Sequence, residues 1–190
     1  MDRRVAVAKL LAARNGALVV TGLGSPSYDV HAAGDVAGNY YLWGAMGGAA
    51  LVGLGIAQAQ PGKRVMVITG DGEQLMAFGA MATIAVAAPR NLDIIVLDNQ
   101  HFGETGMQQS HTGKGINLAA IAAACGFTQA RELRDLGEVD ALCADLLQPS
   151  TGPRLFVLKI KAENLPRSLP PRDATFIKTR FRAHLGLATC

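Results

Sequence analysis

Short apolar segments with a β-rich composition recur along the chain, and most are followed by a turn and a stretch of helical apolar spacing. Strands are predicted at residues 17–21, 39–43, 65–69, 92–97, 127–131 and 154–161. Helices are predicted at residues 2–14, within 28–38, and at about 44–58, 74–87, 118–125 and 135–147. Strand–helix–strand units favour parallel strands with right-handed crossovers. The pattern therefore predicts a single doubly wound α/β domain, with a mostly parallel sheet flanked by helices.

The most informative segment is residues 64–106, which contains two predicted strands and the helix between them. A GDG turn containing Asp71 follows the first strand, and Asn99 lies just after the second. In open α/β sheets, ligands bind at the carboxyl ends of the strands. Asp71 and Asn99 are therefore predicted to meet at one edge of the sheet.

The residue types at this edge suit a divalent cation with a bound phosphate. Asp71 offers a carboxylate oxygen and Asn99 an amide oxygen, and Mg²⁺ takes oxygen ligands and often shares substrate phosphates. The helix after Gly72 directs its N-terminus at the same edge, where an anion is favoured. The alternative is that GDG is only a strand-to-helix turn. Its combination with Asn99 across a complete strand–helix–strand unit favours the metal–phosphate site.

Composition and charge limit the size of the domain and the kinds of ligand that the protein can be expected to bind. With 190 residues, the chain is long enough for one domain with a sizeable core. Apolar residues make up 49% and charged residues 17%, which indicates extensive subunit contacts. The net charge of +3 is too small to predict nucleic-acid binding. Three cysteines without a CxxC motif argue against an iron–sulfur or zinc site and favour a reducing, cytoplasmic location.

Two segments have some features of targeting or membrane sequences. Lys9 and Arg14 interrupt the apolar N-terminus, which argues against a signal peptide. Residues 36–62 are uncharged and long enough to span a membrane. Because they include polar residues and many glycines, we expect a buried, closely packed segment instead, and no membrane association.

The C-terminal residues differ in composition from the rest of the chain. They contain three prolines and several arginines after the last predicted strand. We assign residues 1–165 to the α/β domain and residues 166–190 to a C-terminal arm, which we expect to lie over a partner subunit. No internal repeat or second domain is recognisable in the sequence.

The segment around Asp71 resembles the binding signature of thiamine diphosphate enzymes, in which GDG, a helix and a strand precede a pair of asparagines. Asp98 replaces the first asparagine here, whereas Asn99 matches the second, which is the family's metal ligand. The sequence GETGMQQ at residues 103–109 is similar to the sulfopyruvate and phosphonopyruvate decarboxylase branch. The resemblance extends over nearly all of residues 17–161 and implies the thiamine diphosphate-binding fold.

This resemblance implies a set of metal and cofactor contacts. Mg²⁺ would be held by Asp71, Asn99 and the carbonyl of His101. Gly24 and Ser25 would contact the diphosphate. The alternative is that these residues only form an ordinary turn, for which Gly, Ser and Pro are typical. The other residues implied to contact the cofactor are Gly44, Met46, Gly70, Gly72, Glu73, Phe102 and Gly103.

Met46 has a separate implied role in catalysis. In the family, a bulky apolar residue at this point wedges beneath the cofactor and bends it. The carbonyl of Gly44 and the N–H of Met46 would hold the aminopyrimidine edge. The alternative is that Met46 is an ordinary core residue. The match of the glycine-rich run at residues 44–48 to the family favours the cofactor role.

Enzymes of this family combine a PP module, which binds metal and diphosphate, with a PYR module, which supplies an activating glutamate. The resemblance covers the PP module only, and none of the 15 acidic residues lies in a recognisable PYR motif. We therefore expect a separate PYR-module subunit, with the site at the interface of a homo- or hetero-oligomer.

Three functions remain open from the sequence. The resemblance favours decarboxylation of a small anionic 2-oxoacid, such as sulfopyruvate or phosphonopyruvate, with thiamine diphosphate and Mg²⁺ as cofactors. The alternatives are an acetolactate synthase-like carboligase subunit and a non-catalytic scaffold subunit. Because Asp71, Asn99 and Met46 are all present, a scaffold is disfavoured.

The residues around positions 103–109 are candidates for recognition of the substrate's anionic groups. His101, His111 and Lys114 flank this segment, and a cation there would pair with a carboxylate, sulfonate or phosphonate group. His111 is the preferred catalytic candidate. The alternatives are that His101 lends only its carbonyl to the metal and that Lys114 only faces solvent.

Overall fold

The computed structural model describes residues 1–188; residues 189 and 190, which include Cys190, lie outside the described part. The strands in chain order are β1 (Leu18–Thr21), β2 (Asn39–Tyr41), β3 (Val65–Gly70), β4 (Leu92–Asp98), β5 (His101–Phe102), β6 (Gln108–Gln109), β7 (Gln129–Leu133) and β8 (Arg154–Lys159). Six of them form one parallel sheet in the order β2-β1-β3-β4-β8-β7, and β5 pairs with β6 in an antiparallel hairpin. The predicted fold class, a doubly wound α/β domain, is confirmed.

Helices cover both faces of this sheet. They are α1 (Arg3–Ala12), α2 (Ser25–Ala32), α3 (Ala49–Ala59), α4 (Asp71–Met76), α5 (Ala80–Ala87), α6 (Leu118–Cys125), α7 (Leu136–Leu146) and α8 (Ala174–His184), with a 3₁₀ turn at Thr112–Lys114. Alternate strand residues enter two apolar cores, one against α3, α5 and α6 and the other against α1, α2 and α7. Burial on both faces explains why the strands are almost uniformly apolar.

The uncharged segment at residues 36–62 forms the edge strand β2 and α3, of which one face packs on the sheet and the other is exposed. Gly53 of α3 lies directly against β3, where an added Cβ would be only 2.3 Å from a methyl carbon of Val67. Glycine at this position therefore lets the helix pack closely on the sheet. Among residues 1–188, no helix has both the length and the apolar character needed to cross a membrane.

The two central strands place the predicted metal ligands at one edge of the sheet. In the parallel β3–β4 pair, Gly70 lies opposite Leu97, so both strands end at the same level. Asp71 begins α4 directly after β3, and Asn99 directly follows β4. This edge lies beside the point where the strand order reverses, between β1 and β3, which is where doubly wound folds bind ligands.

Several predicted boundaries around this edge were wrong. The Gly24-Ser25 segment is the start of α2 rather than a loop, because Pro26 fits the first turn of a helix. The helix predicted from residue 44 begins only at Ala49. The β5–β6 hairpin was not predicted.

The single helix predicted at residues 74–87 is two helices. α4 ends at Met76, and α5 begins at Ala80 after a break that contains Gly79. Because the residues in the break are also mostly apolar, the spacing of apolar residues did not indicate that the helix is interrupted there. The GDG sequence also belongs to the strand end and to α4, rather than to a separate turn.

The C-terminal residues contain a helix, α8, that the sequence analysis missed. Ile177 and Phe181 of α8 are buried, and Phe181 packs edge-on against Tyr40, with ring centroids 5.4 Å apart. Before α8, the carbonyl of Pro171 accepts a 2.8 Å hydrogen bond from Trp43 Nε1. The residues described here therefore pack on their own domain. A role of the arm over a partner subunit stays a prediction.

Candidate active site

A cavity of about 200 Å³ opens at the carboxyl edge of the sheet, beside the ends of β3 and β4. Its lining includes most residues that were predicted to contact a cofactor or metal: Ser25, Met46, Gly70, Asp71, Gly72, Glu73, Asn99, His101, Phe102 and Gly103. Leu97 and Ile160 add an apolar wall. An apolar cavity with a few converging polar groups is the usual form of a cofactor site.

Four other predicted residues do not line this cavity. Gly24 caps α2 with a positive φ of 76°, and an added Cβ would lie 3.0 Å from the Glu104 side chain. Gly44 also has a positive φ, 72°, in the loop before Met46. The His111 ring is exposed and lies edge-on to Phe102, with centroids 6.2 Å apart. Lys114 is exposed on the 3₁₀ turn.

The Asp71 carboxylate is buried and contacts two hydroxyl side chains. The residue is only 2% exposed. Ser110 Oγ donates to Asp71 Oδ2, and Thr112 Oγ1 lies 3.1 Å from the same oxygen. Both hydroxyl residues follow β6, so this loop fixes the carboxylate at the end of β3. Among the described residues, both contacts use Oδ2 rather than Oδ1, which leaves Oδ1 for a ligand.

Asp98, which stands where the family has an asparagine, is also buried. Thr112 Oγ1 lies 2.7 Å from Asp98 Oδ1, shorter than its contact with Asp71, so we assign the single hydroxyl proton to Asp98. Lys159 Nζ forms an ion pair with Asp98 Oδ2 and also lies 3.5 Å from Glu132. Lys159 is opposite Asp98 in the β4–β8 register. This ion pair explains how the sheet tolerates a carboxylate at this position.

The electrostatic environment of Asp71 favours a bound cation. Burial raises the pKa of Asp71, and the negative charge of Asp98 adds to this effect, while the hydroxyl hydrogen bonds oppose it. No group of three or more His, Cys, Asp or Glu side chains within residues 1–188 could hold a metal. A cation here would therefore need amide, carbonyl or phosphate oxygens as well, which suits Mg²⁺ better than zinc.

Asn99 and His101 are held by a local turn at the cavity. Asn99 Oδ1 accepts a 2.9 Å hydrogen bond from the N–H of His101. The Nδ1 atom of His101 lies 2.8 Å from the carbonyl oxygen of Asn99. These contacts hold the Asn99 amide and the His101 backbone at the cavity that Asp71 also lines.

Glu73 connects the two loops on the other side of the cavity. Its Oε2 accepts a 2.8 Å hydrogen bond from the N–H of Leu23, and its Oε1 accepts one of 3.3 Å from the N–H of Gly47. Burial raises the pKa of Glu73, which is only 4% exposed. The carboxylate therefore joins the segment before Ser25 to the segment that carries Met46.

The backbone of the GDG segment fits a diphosphate group. An added Cβ on Gly72 would lie 2.9 Å from the Phe102 ring, so only glycine allows this contact. Gly70 has no described atom within 4 Å of an added Cβ, and it borders the open cavity. Oxygen ligands beside accessible backbone are the donor set that a metal-bound diphosphate requires.

The sequence from residue 24 to residue 158 matches the family described as thiamine pyrophosphate enzyme, C-terminal TPP binding domain. Thiamine pyrophosphate is another name for thiamine diphosphate. This chain belongs to the thiamine pyrophosphate enzyme family.

Relatives within the family support the predicted branch. Sulfopyruvate decarboxylase subunit beta from Methanothermobacter thermautotrophicus is 34% identical over 189 residues, which is 100% of this chain and 98% of that protein. The same subunit from Methanocaldococcus jannaschii is 41% identical over 110 residues, 58% of each chain. Phosphonopyruvate decarboxylase from Streptomyces viridochromogenes is 37% identical over 88% of this chain and 42% of that protein. The predicted resemblance is confirmed, although the latter two matches cover less than two thirds of those relatives.

Solved structures agree with the TPP-binding fold. The thiamine diphosphate-dependent 4-hydroxybenzoylformate decarboxylase of Rhodococcus jostii matches with a TM-score of 0.74 and 18% identity, covering 86% of this chain and 33% of that one. Benzoylformate decarboxylase from Polynucleobacter necessarius matches with a TM-score of 0.72 and 17% identity, covering 87% and 34%. Both likenesses show a shared fold.

Sequence reasoning missed several residues at or near this cavity. Ser110, Thr112 and Lys159 hold the two buried carboxylates, and Arg3 and Glu104 line the cavity. The polar composition after β6 was the only available signal for Ser110 and Thr112. Arg3 lies in a charged N-terminal segment that looked like the solvent face of a helix, so its burial could not be predicted.

Proposed function

We propose that this chain is the Mg²⁺- and thiamine diphosphate-binding subunit of a 2-oxoacid decarboxylase of the sulfopyruvate or phosphonopyruvate type. The observation that carries the proposal is the position of Asp71 and Asn99 at neighbouring strand ends beside one cavity. The relatives named as sulfopyruvate and phosphonopyruvate decarboxylases support the choice of reaction and substrate class.

The metal in this proposal is held by oxygen atoms of the chain and of the diphosphate. Asp71, the Asn99 amide and the His101 carbonyl are the protein ligands. Ser110 donates to Asp71 and keeps its carboxylate oriented, so little reorganisation is needed when the ion binds. Gly24 and Ser25 are proposed to border the diphosphate at the start of α2.

The carbon chemistry would come from the cofactor, because thiamine diphosphate, when bound, supplies a carbon nucleophile and takes up the electron pair left behind when carbon dioxide departs. The protein positions the cofactor and excludes water. Leu97, Ile160 and Phe102 provide apolar walls for this purpose. Met46 is proposed to support the bent cofactor, with the Gly44 carbonyl and the Met46 N–H at its aminopyrimidine edge.

A PYR-module partner is proposed to complete the site. Both glutamates at the cavity are engaged, since Glu73 accepts backbone hydrogen bonds and Glu104 pairs with Arg167 at 3.0 Å. Met46 is 44% exposed although it lines the cavity. Further large apolar side chains are also exposed near this region, namely Leu51, Met76 and Phe78. A subunit that covered these residues would bury apolar surface and bring the activating glutamate to the cofactor.

The proposed function is tested by a decarboxylation assay on the chain in complex with a PYR-module subunit. The complex should release carbon dioxide from sulfopyruvate or phosphonopyruvate, and it should require both thiamine diphosphate and Mg²⁺. EDTA should abolish the activity. Condensation products with no aldehyde would instead support a carboligase. Bound cofactor without turnover of any 2-oxoacid would support a scaffold subunit.

A further inference from the structure

The first residue of α1 has an unusual position for an N-terminal arginine. Arg3 is only 2% exposed, and it lies at the carboxyl edge of the sheet with Asp71 and Asn99. It lines the main cavity and also a smaller, adjoining one of about 150 Å³, which shares Ser25 with it. Arg3 lies outside residues 24–158, the part of the chain that matches the family domain.

The guanidinium group of Arg3 has unused hydrogen-bonding capacity. Its Nη1 donates a 2.8 Å hydrogen bond to the carbonyl of Glu163. Its Nε lies 2.8 Å from Asp29 Oδ2, but the geometry is not that of a hydrogen bond, and both atoms are buried without another partner. Within residues 1–188, Nη2 makes no hydrogen bond. Because Nε faces Asp29, Nη2 is the donor that remains for a ligand in the cavities that Arg3 lines.

The charges around Arg3 are not balanced. Arg3 and Arg4 both pair with Asp29, whose side chain is fully buried, so two guanidinium groups share one carboxylate. The Glu104 carboxylate also lines both cavities, but it is paired with Arg167. One positive charge therefore remains in excess beside the cavity. Arg4 is 31% exposed and donates to the carbonyl of Pro166, so this excess charge is partly solvated, and it would attract an anion into the cavity that Arg3 lines.

Ser25 lies beside Arg3 on the lining of both cavities and supplies a second anion-binding element. It is the first residue of α2, so its own N–H has no intrahelical acceptor, whereas the next residue, Pro26, has no N–H. We propose that Arg3, together with Ser25, binds the terminal phosphate of thiamine diphosphate directly, independently of the metal ligands. This inference rests on the proposed function. A guanidinium group can donate two parallel hydrogen bonds to one phosphate, which makes Arg3 a specificity residue for the second phosphate.

The test compares the affinities of the complex for thiamine diphosphate, thiamine monophosphate and thiamine, measured by calorimetry with Mg²⁺ present. Arg3→Gln should lower the affinity for thiamine diphosphate by about tenfold. The affinities for the monophosphate and for thiamine should change by less than about twofold, because they lack the terminal phosphate. Arg3→Lys keeps the charge but not the planar fork, and it should give an intermediate loss of about threefold.

Arg4→Gln is the matched control, because Arg4 pairs with the same Asp29 but does not line either cavity. It should change all three affinities by less than about twofold. Equal losses for all three ligands in Arg3→Gln, or equal effects of Arg3→Gln and Arg4→Gln, would overturn the inference and leave Arg3 a purely structural residue. If Arg3→Gln does not fold, an unchanged diphosphate-to-monophosphate ratio in Arg3→Lys would overturn it. Failure of the wild-type complex to bind thiamine diphosphate would instead reject the proposed function itself.

Discussion

Two polar clusters reach the same cavity, one through Asp71 and the other through Arg3, and they leave opposite charges unpaired. The acidic cluster consists of Asp71, Asp98, Ser110, Thr112 and Lys159, and the basic cluster consists of Arg3, Arg4 and Asp29. In the acidic cluster, Lys159 pairs with Asp98 and with Glu132, and Asp71 has no cationic partner within residues 1–188. In the basic cluster, two guanidinium groups share one carboxylate. A cation bound beside the first cluster and an anion bound beside the second would balance both charges.

The two clusters also differ in how firmly their groups are held. Hydroxyl groups from one loop orient Asp71 and Asp98, whereas Arg3 keeps donors without acceptors. The acidic cluster is therefore organised before a ligand binds, and the basic cluster remains incomplete until an anion arrives. A metal-bound diphosphate would supply both a cation for the acidic cluster and an anion for the basic cluster.

The largest effect is expected from removing the carboxylate of the acidic cluster. Asp71→Ala should abolish Mg²⁺-dependent binding of thiamine diphosphate to the complex, because the metal site loses its charged ligand. The melting temperature without ligands should stay the same or rise, since the variant no longer buries a charge. Calorimetry and thermal unfolding measure the two effects. Undiminished cofactor affinity would contradict the assignment.

A buried carboxylate at the other end of β4 provides the control for this variant. Asp93 pairs with Arg154 and Arg64, and it lies at the amino end of the strand, far from the cavity lining. Asp93→Ala should lower the melting temperature, because it leaves the buried Arg154 without its partner. Cofactor affinity should remain that of the wild type. The two variants should therefore show opposite patterns of stability and binding.

The next largest effect concerns the ion pair within the acidic cluster. Lys159→Met should destabilise the protein by about 3 kcal/mol, because Asp98 would be left as a buried, uncompensated charge. This corresponds to a decrease of roughly 10 °C in the melting temperature. The double variant Asp98→Asn/Lys159→Met should recover most of that loss, since both charges are removed. If the double variant is as unstable as Lys159→Met, the ion pair is not what stabilises Asp98.

A smaller effect is expected at the cavity mouth. Met46→Ala should lower turnover by about tenfold while leaving Mg²⁺ affinity unchanged, because the side chain positions the cofactor without binding the metal. Val86→Ala is the control, since Val86 is 88% exposed and does not line the cavity. Steady-state kinetics on the complex compares the two. Wild-type turnover in Met46→Ala would make Met46 only a packing residue.

The smallest effect is expected from the exposed cations after β6. His111 and Lys114 lie outside the cavity lining, so the alanine variants should raise KM for sulfopyruvate by only about threefold. The change for pyruvate should be smaller, because pyruvate lacks the second anionic group. Equal changes in KM for both substrates, or no change, would show that His111 and Lys114 do not recognise the second anionic group of sulfopyruvate.

The sequence was sufficient to predict the elements that depend on local patterns. The apolar runs around residues 65–70 and 92–98 predicted two neighbouring parallel strands, and the polar residues after them predicted where Asp71 and Asn99 meet. The apolar spacing at residues 135–147 predicted α7 almost to its ends, and the structure shows a capping box of Asp135 and Glu138 at its start. These features depend on residues that are close in sequence.

Features that depend on distant residues could not be predicted. Ser110 contacts Asp71 from 39 positions away, and Arg3 contacts the carbonyl of Glu163 from 160 positions away. Neither contact leaves a local pattern in the sequence. α8 was missed for a related reason. Its apolar face is short and flanked by arginines, and it is buried only because it packs against β2, which is distant in the sequence.

The most direct test of the central claim is a titration of the complex with thiamine diphosphate in the presence of Mg²⁺ and, separately, of EDTA. If the acidic cluster holds a metal that joins it to the diphosphate, EDTA should reduce the affinity at least about tenfold, and restoring Mg²⁺ should recover it. The same affinity in EDTA and in Mg²⁺ would contradict the claim that Asp71 and Asn99 bind the cofactor through a metal ion.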